Sequence, residues 1–248
     1  MDRLHFYTEL GTFRGHDYEV YLDTAKLLSC QKPFEALCNG DELQFQIVHQ
    51  VEELWMKLLA YTLLDVDECL EKAESFRAIT LFRRCHLLLK LMTEQLALLE
   101  TMSPKEYQQI RLQLGNGSGQ ESPGFRVLMQ MPPHLWRTYE AVYLKGRGRT
   151  IEQVYDSQYT HDDAYAIAEC LAELDELFQK FRWHHILLIH RSIGPDAASL
   201  KGRPVELLER GARHRFFPQL WEVRSKMTDA WGSTYGRVRE RLTEEAHA

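Results

Sequence analysis

Residues 178–194 read FQKFRWHHILLIHRSIG. They close the longest periodic stretch of the chain, 162–193, in which apolar residues recur at the three- and four-residue steps of a helix. Gly194 and Pro195 end it. Within its inward-facing part stand His184, His185, His190, Arg182 and Arg191. Polar groups of this kind are costly to bury without a partner, so something must bind them. His184 and His185 are neighbours whose side chains diverge by about 100° on a helix, so at most one faces a given site. His185 shares a face with Leu188 and Ile189, and His184 shares one with Leu187 and Leu188. Periodicity alone does not choose between them.

The rest of the chain repeats the helical pattern. From Asp41 to Leu70 the residues Leu43, Ile47, Leu54, Leu58 and Leu63 recur at helical steps, and 77–101 does the same with few breakers. SPKEYQQIRLQL, 103–114, opens with Ser103 as N-cap, Pro104 at N1 and Glu106 at the capping-box position. GNGSGQESPG, 115–124, holds four glycines and two serines in ten residues and reads as a loop between helices rather than a linker. Further helices are expected at 133–143, 204–213 and 218–242, with a basic turn KGRGR at 145–149. No strand pattern, fixed-period repeat or low-complexity tract interrupts the series. The fold class is therefore all-α, a single-domain helical bundle over 1–248.

Composition narrows the function. Thirty basic against 36 acidic side chains give a formal net charge of −6, which argues against nucleic acid as a partner. The N-terminus MDRLHFYTEL has no basic-then-apolar signal pattern and no run of 18 apolar residues occurs, so a cytoplasmic, non-membrane protein is expected. The five cysteines, Cys30, Cys38, Cys69, Cys85 and Cys170, form no C-x-x-C pair and are expected to be reduced, mostly buried small hydrophobes.

Phe45, His49 and Glu53 share one helix face, which suits a pocket wall; His49 could equally be a core histidine bonded to a backbone carbonyl. Two helical histidines far apart in sequence, with no carboxylate cluster between them, suit a haem better than zinc, which needs three or four ligands. Arg111 and Arg126 flank the glycine-rich loop, where a planar guanidinium can hold a carboxylate through two parallel hydrogen bonds or simply make a surface salt bridge. The loop lacks a Gly-Lys-Ser/Thr ending and a preceding strand, so it is no phosphate loop. RGARHRFFPQLW, 210–221, fits packing or a subunit contact better than a basic patch for nucleic acid.

Several of these segments together resemble the tryptophan 2,3-dioxygenase family. YEVYLDTAKLLSCQ, 18–31, resembles its N-terminal pattern of two tyrosines three apart followed by Leu-Leu and Gln. DELQFQIVHQVEELWMKLL, 41–59, resembles its distal-pocket helix at Asp41, Glu42, Phe45, His49, Gln50, Glu53, Leu54 and Trp55. YQQIRLQL, 107–114, lies at the family's distance before SPGF, 122–125, and FRWHHILLIHRSIG resembles the segment of the proximal haem histidine. The likeness covers most of 16–194.

The resemblance implies a haem-enclosing bundle with haem b as cofactor and His185, nine residues before Gly194, as the axial ligand of the iron. Arg191 would balance a haem propionate or a neighbouring carboxylate, and Trp55 and Phe125 would also contact the cofactor. His49 would be the distal catalytic histidine, with Phe45 against the indole. Arg111 would clamp the substrate carboxylate beside Tyr107 and Ser122, and Tyr18 and Tyr21, in an arm over 1–31, would reach a neighbouring subunit's pocket in a homodimer or homotetramer. In the family's reaction both atoms of dioxygen enter the indole of tryptophan and open its pyrrole ring, giving N-formylkynurenine.

There are departures. The family's Gly-Thr-Gly-Gly-Ser loop, whose threonine holds the substrate ammonium, is replaced by GPDAASLKGRPVELLERG, 194–211, where Ser199 is the candidate substitute. The serine before Gly-Phe is shifted to Ser122, GNGSGQ is extra, and a glutamate after the proximal histidine is replaced by His190. The reading is a haem-dependent oxygenase acting with dioxygen on L-tryptophan or a related aromatic. The altered loop favours single-oxygen insertion, by a hydroxylase using dioxygen or peroxide, as the runner-up; a haem sensor or carrier is the non-enzymatic rival, against which Arg111 and His49 speak.

Overall fold

The structure, a computed structural model, describes residues 1–115, 117, 119–158, 160–196, 209 and 211–231. The chain opens with three short helices, α1 (Arg3–Gly11), α2 (Asp17–Leu22) and α3 (Thr24–Leu27), none of which buries a residue. Then come α4 (Glu42–Glu71), α5 (Ser75–Leu99), α6 (Pro104–Gln113), α7 (Pro123–Leu128), α8 (Pro132–Tyr139), α9 (Ile151–Tyr155), α10 (Asp163–Ile193) and α11 (Pro218–Trp231). Among the described residues there is no strand.

Side-chain pairs fix how the three long helices run. Gln44 near the start of α4 donates to Leu98 O at the end of α5, and only Lys72–Glu74 joins the two helices, so they are antiparallel. Along α5 and α10 the partners advance together: Ser75 with Asp163, His86 with Cys170 O, Lys90 with Glu173 and Glu100 with His184. Those two helices are therefore parallel. The start of α4 and the ends of α5 and α10 meet at one end of the bundle, and α6 begins there.

Local chemistry sets the boundaries. Asp162 caps α10 by accepting from Tyr165 N at 3.1 Å, and Gly194, at φ +88°, lies in the left-handed region where the helix stops. Ser103 accepts from Glu106 N at the start of α6, as its sequence leads one to expect. The helix expected over 133–143 begins at Pro132, and past Tyr139 it widens into a π-helical turn, Glu140–Leu144; Tyr139 and Tyr143 are both buried and stack at 5.6 Å. The loop expected over 115–124 contains a 3-10 turn, Gly119–Glu121, and gives way to α7 at Pro123. The helix expected at 204–213 falls mostly outside the described residues, as does 232–242.

The apolar stripe of α4 holds a correction. Ile47, Leu54 and Leu58 are exposed, while Val48, Met56, Leu59, Leu63, Val66 and Leu70 form the buried seam. Alternating steps of three and four identify the helix but not its inner side, because α4 is apolar on both. The cysteines need one too: only Cys85 is buried, its thiol pushed up to about 12 by burial, whereas Cys30 and Cys38 lie exposed on the N-terminal segment that buries little.

Glu52 interrupts the seam between Val48 and Met56, 7% exposed. Its Oε1 and the neighbouring Gln95 Nε2 are both buried without a hydrogen-bond partner among the described residues. Burial chiefly raises this carboxyl from 4.5 to about 7, with Gln95 opposing and the Glu53 charge adding to the rise. Below 4.5 the group is protonated folded or unfolded; above 7 it is ionised in both, and the fold then carries a penalty of about 3 kcal/mol. Stability should therefore fall as pH rises through this window. Glu52→Gln should match the parent near pH 4 and exceed it by up to about 3 kcal/mol at pH 8 in urea unfolding. A constant difference across that range would contradict the burial account.

Candidate functional site

Where the helices converge, the histidine pair of α10 divides. His184 turns outward, its Nε2 at 2.8 Å from Glu100 Oε1, with Arg191 Nη1 at 3.3 Å from the other oxygen of the same carboxylate. His185 turns toward α4. Its pKa is pushed down to about 4, first by burial and then by the neighbouring imidazoles of His49 and His184. At neutral pH this ring is uncharged and keeps a nitrogen lone pair for a ligand bond.

Opposite, His49 Nδ1 donates to Phe45 O at 2.7 Å, so the bond to a backbone carbonyl, one of the two readings of its sequence, is present. That bond fixes the tautomer of the neutral ring, leaving the lone pair on Nε2. Burial lowers the pKa of His49, while the Phe45 carbonyl and the Glu53 charge oppose the fall. The Phe45 ring lies 4.1 Å from the His49 ring and 6.3 Å from that of Tyr107. Burial raises the Tyr107 hydroxyl, and the nearby Arg111 charge offsets part of the rise. Phe45, His49, Tyr107, Arg111 and His185 thus gather at the same end of the bundle.

A single short segment connects the two histidine-bearing helices. A Cβ at Gly119 would stand 3.8 Å from His185 Cε1 and 4.0 Å from Nε2, so the backbone of this segment lies close to the imidazole. Farther on, Gly124 N donates to Glu53 Oε2 at 3.0 Å, and a Cβ there would come within 2.6 Å of Met56 Cβ, so only glycine permits this approach. Ser122 Oγ caps α7 by accepting from Phe125 N at 3.0 Å and approaches Met56 Sδ at 3.8 Å. Phe125 stacks on Phe178 of α10, ring centroids 5.7 Å apart.

A neutral buried imidazole, a second imidazole near it and aromatic packing beside them fit a haem iron. Among the described residues no group of three His, Cys, Asp or Glu could hold a metal ion by itself. A groove of about 540 Å³ lies elsewhere, on the outer face beside Trp183, His184 and Trp221.

Other residues singled out in the sequence are not gathered here. Tyr18 and Tyr21 are exposed on α2, at 72% and 89%. Arg191 points outward to Glu100, the neighbouring carboxylate among its two expected partners. Trp55 packs partly buried against the core. His190 reaches Glu209 at 3.4 Å, and Ser199 lies outside the described residues. Sequence reasoning missed the role of Glu53 as anchor for Gly124, although its place on the face of His49 was the available signal. It also missed Asp175, which resembles an ordinary surface charge until the fold buries it, whereas Arg182 is buried as its place in the inward-facing stretch leads one to expect.

Comparison with known proteins identifies the chain's family. The profile described as Tryptophan 2,3-dioxygenase matches residues 8–131, half of the chain. A tryptophan 2,3-dioxygenase of Myxococcus xanthus is 28% identical over an alignment covering 85% of this chain and 89% of its own. Proteins of the same name from Rhodococcus jostii, at 29%, and Serratia proteamaculans, at 26%, each cover 85% of the chain and 91% and 92% of their own lengths. The chain belongs to the tryptophan 2,3-dioxygenase family.

Proposed function

We propose that this protein is a haem-dependent oxygenase that adds both atoms of dioxygen across the indole of L-tryptophan, giving N-formylkynurenine. The observation that carries the reading is the convergence of neutral His185 and His49 with Phe45, Tyr107 and Arg111 at one end of the bundle. The names of the relatives point the same way and do not favour insertion of a single oxygen atom, the alternative raised by the altered 194–211 segment.

In this reading His185 would hold haem b, with Phe125 and Trp55 as further candidates to line it, and the group would supply dioxygen activation when bound. The chain's own residues orient the substrate. His49 Nε2, bare because Nδ1–H is committed to Phe45 O, accepts the indole N–H. Phe45 covers the ring, and Arg111 beside Tyr107 takes the carboxylate in charge-assisted hydrogen bonds, with Ser122 at the rim. Fixing both ends of the amino acid sets which ring carbons face the oxygen. Residues 1–248 act as one domain, and Tyr18 and Tyr21, exposed here, would complete a neighbouring subunit's pocket in a homodimer or homotetramer; a fully active species near 29 kDa in light scattering would contradict that assembly.

Arg111→Leu should weaken binding of tryptophan about tenfold or more, the scale of a lost charge-assisted pair, while haem content stays unchanged. Calorimetric titration of the haem-loaded variant checks this, and equal affinities of variant and parent would remove the clamp. The function itself is tested by oxygen uptake: haem-loaded protein should consume tryptophan and dioxygen one for one, and no tryptophan-dependent uptake would overturn it.

A further inference from the structure

We propose that Asn39 is a positioning residue for substrate binding, holding α6, which carries Tyr107 and Arg111, against the start of α4, which carries Phe45 and His49. The inference rests on the functional reading above. Asn39 Nδ2 donates to Glu106 O and to Gln109 Oε1, both at 3.0 Å and both on α6. Its Oδ1 accepts from Asp41 N at 3.0 Å, at the cap of α4, and its carbonyl accepts from Glu42 N at 3.4 Å. This network also fixes the orientation of the amide, since only Oδ1 can accept from a backbone N–H and only Nδ2 can donate to a carbonyl.

The contacts fall where they govern the substrate side. Glu106 directly precedes Tyr107, and Gln109 is two residues before Arg111. Of the ten residues of α6 only Ile110 is buried, so apolar packing alone gives little control over the rotation of this helix about its axis. A polar tie from a fixed base supplies that control. The base is fixed because residues 30–42 are laced to α4: Gln31 Nε2 donates to Gln50 Oε1 at 2.7 Å, Lys32 N to Gln46 Oε1 at 2.9 Å, and Cys38 N to Glu42 Oε2 at 2.6 Å. Lys32 Nζ lies 2.5 Å from the other oxygen of Glu42. Burial would raise the Glu42 carboxyl, but Lys32 and the Cys38 N–H outweigh it and hold the group below its usual value. A rotation of α6 would swing Arg111 away from the carboxylate position while leaving Phe45 and His49 on α4 in place.

Two variants separate the tie to α6 from the cap on α4. Asn39→Ala loses both, whereas Asn39→Asp keeps the acceptor for Asp41 N and loses only the donors to α6. Both are expected to weaken L-tryptophan binding to the haem-loaded protein by on the order of five- to tenfold. Binding of 3-methylindole, which has no carboxylate, should stay at the parent's value. Calorimetric titration of the two ligands reads the difference. Unchanged tryptophan binding in both variants, loss in Asn39→Ala alone, or equal losses for the two ligands would each overturn the positioning role. A parent protein that itself binds no tryptophan would overturn the functional reading and this inference with it, an outcome distinct from variants that bind as well as a competent parent.

Discussion

Alanine at position 185 is expected to leave the purified protein almost without haem, while alanine at 184 leaves haem content close to that of the parent. The two imidazoles are neighbours in sequence with opposite surroundings. His184 is committed to Glu100 at 2.8 Å on the outer face, and its removal breaks a partly exposed pair. His185 faces inward with its pKa near 4, uncharged and available as an axial ligand. Partners one shell beyond a metal ligand already alter affinity by about ten- to a hundredfold, so loss of the ligand itself should lower haem per chain at least about tenfold. The Soret band per chain measures it. Equal haem in the parent and the His185 variant would cancel the assignment.

The second large effect concerns the frame behind that ligand. Asp175 is fully buried on α10, and its Oδ2 accepts from Phe216 N at 3.0 Å, Phe217 N at 3.2 Å and Trp221 Nε1 at 2.8 Å. Gln179 Nε2 donates to Oδ1 at 3.0 Å. Two turns on, Arg182 lies over the rings of Phe178 and Phe216 and donates to Gly211 O at 2.8 Å and to His214 O. These two side chains pin 211–221 to the helix that carries His185. Asp175→Ala would strand two buried backbone N–H groups and leave a partly buried indole N–H without its acceptor. Each costs about 1–3 kcal/mol, and breaking a buried charged network as a whole costs about 3–5 kcal/mol, a large share of an ordinary domain's stability. Asp175→Asn, which keeps one acceptor, should lose less. Urea unfolding decides: a loss below about 1 kcal/mol for the alanine variant would show that water or rearrangement replaces the carboxylate.

The long helices were legible because their apolar spacing is regular, and α4, α5 and α10 begin or end within about two residues of the expected limits. The short helices α1 to α3 were not, since they bury nothing and so carry no stripe to read. The π-helical turn at Glu140–Leu144 escaped for another reason: one added residue per turn leaves local composition unchanged. The choice between His184 and His185 depended on Glu100, a partner 84 residues away that no local pattern reveals. Asn39 and Asp175 are alike in this respect, because each has partners on elements distant in sequence, among them backbone groups that every residue offers. Residues such as Phe45, His49 and Arg111 were legible through resemblance, and the fold adds that they share one end of the bundle with His185.

The most direct test of the central claim is mass spectrometry of the product formed from tryptophan under labelled dioxygen. Opening of the pyrrole ring by both atoms predicts N-formylkynurenine carrying two labelled oxygens, with its formation lost in the His185 variant. A main product with a single labelled oxygen and an intact indole would contradict the account and assign the protein to hydroxylation.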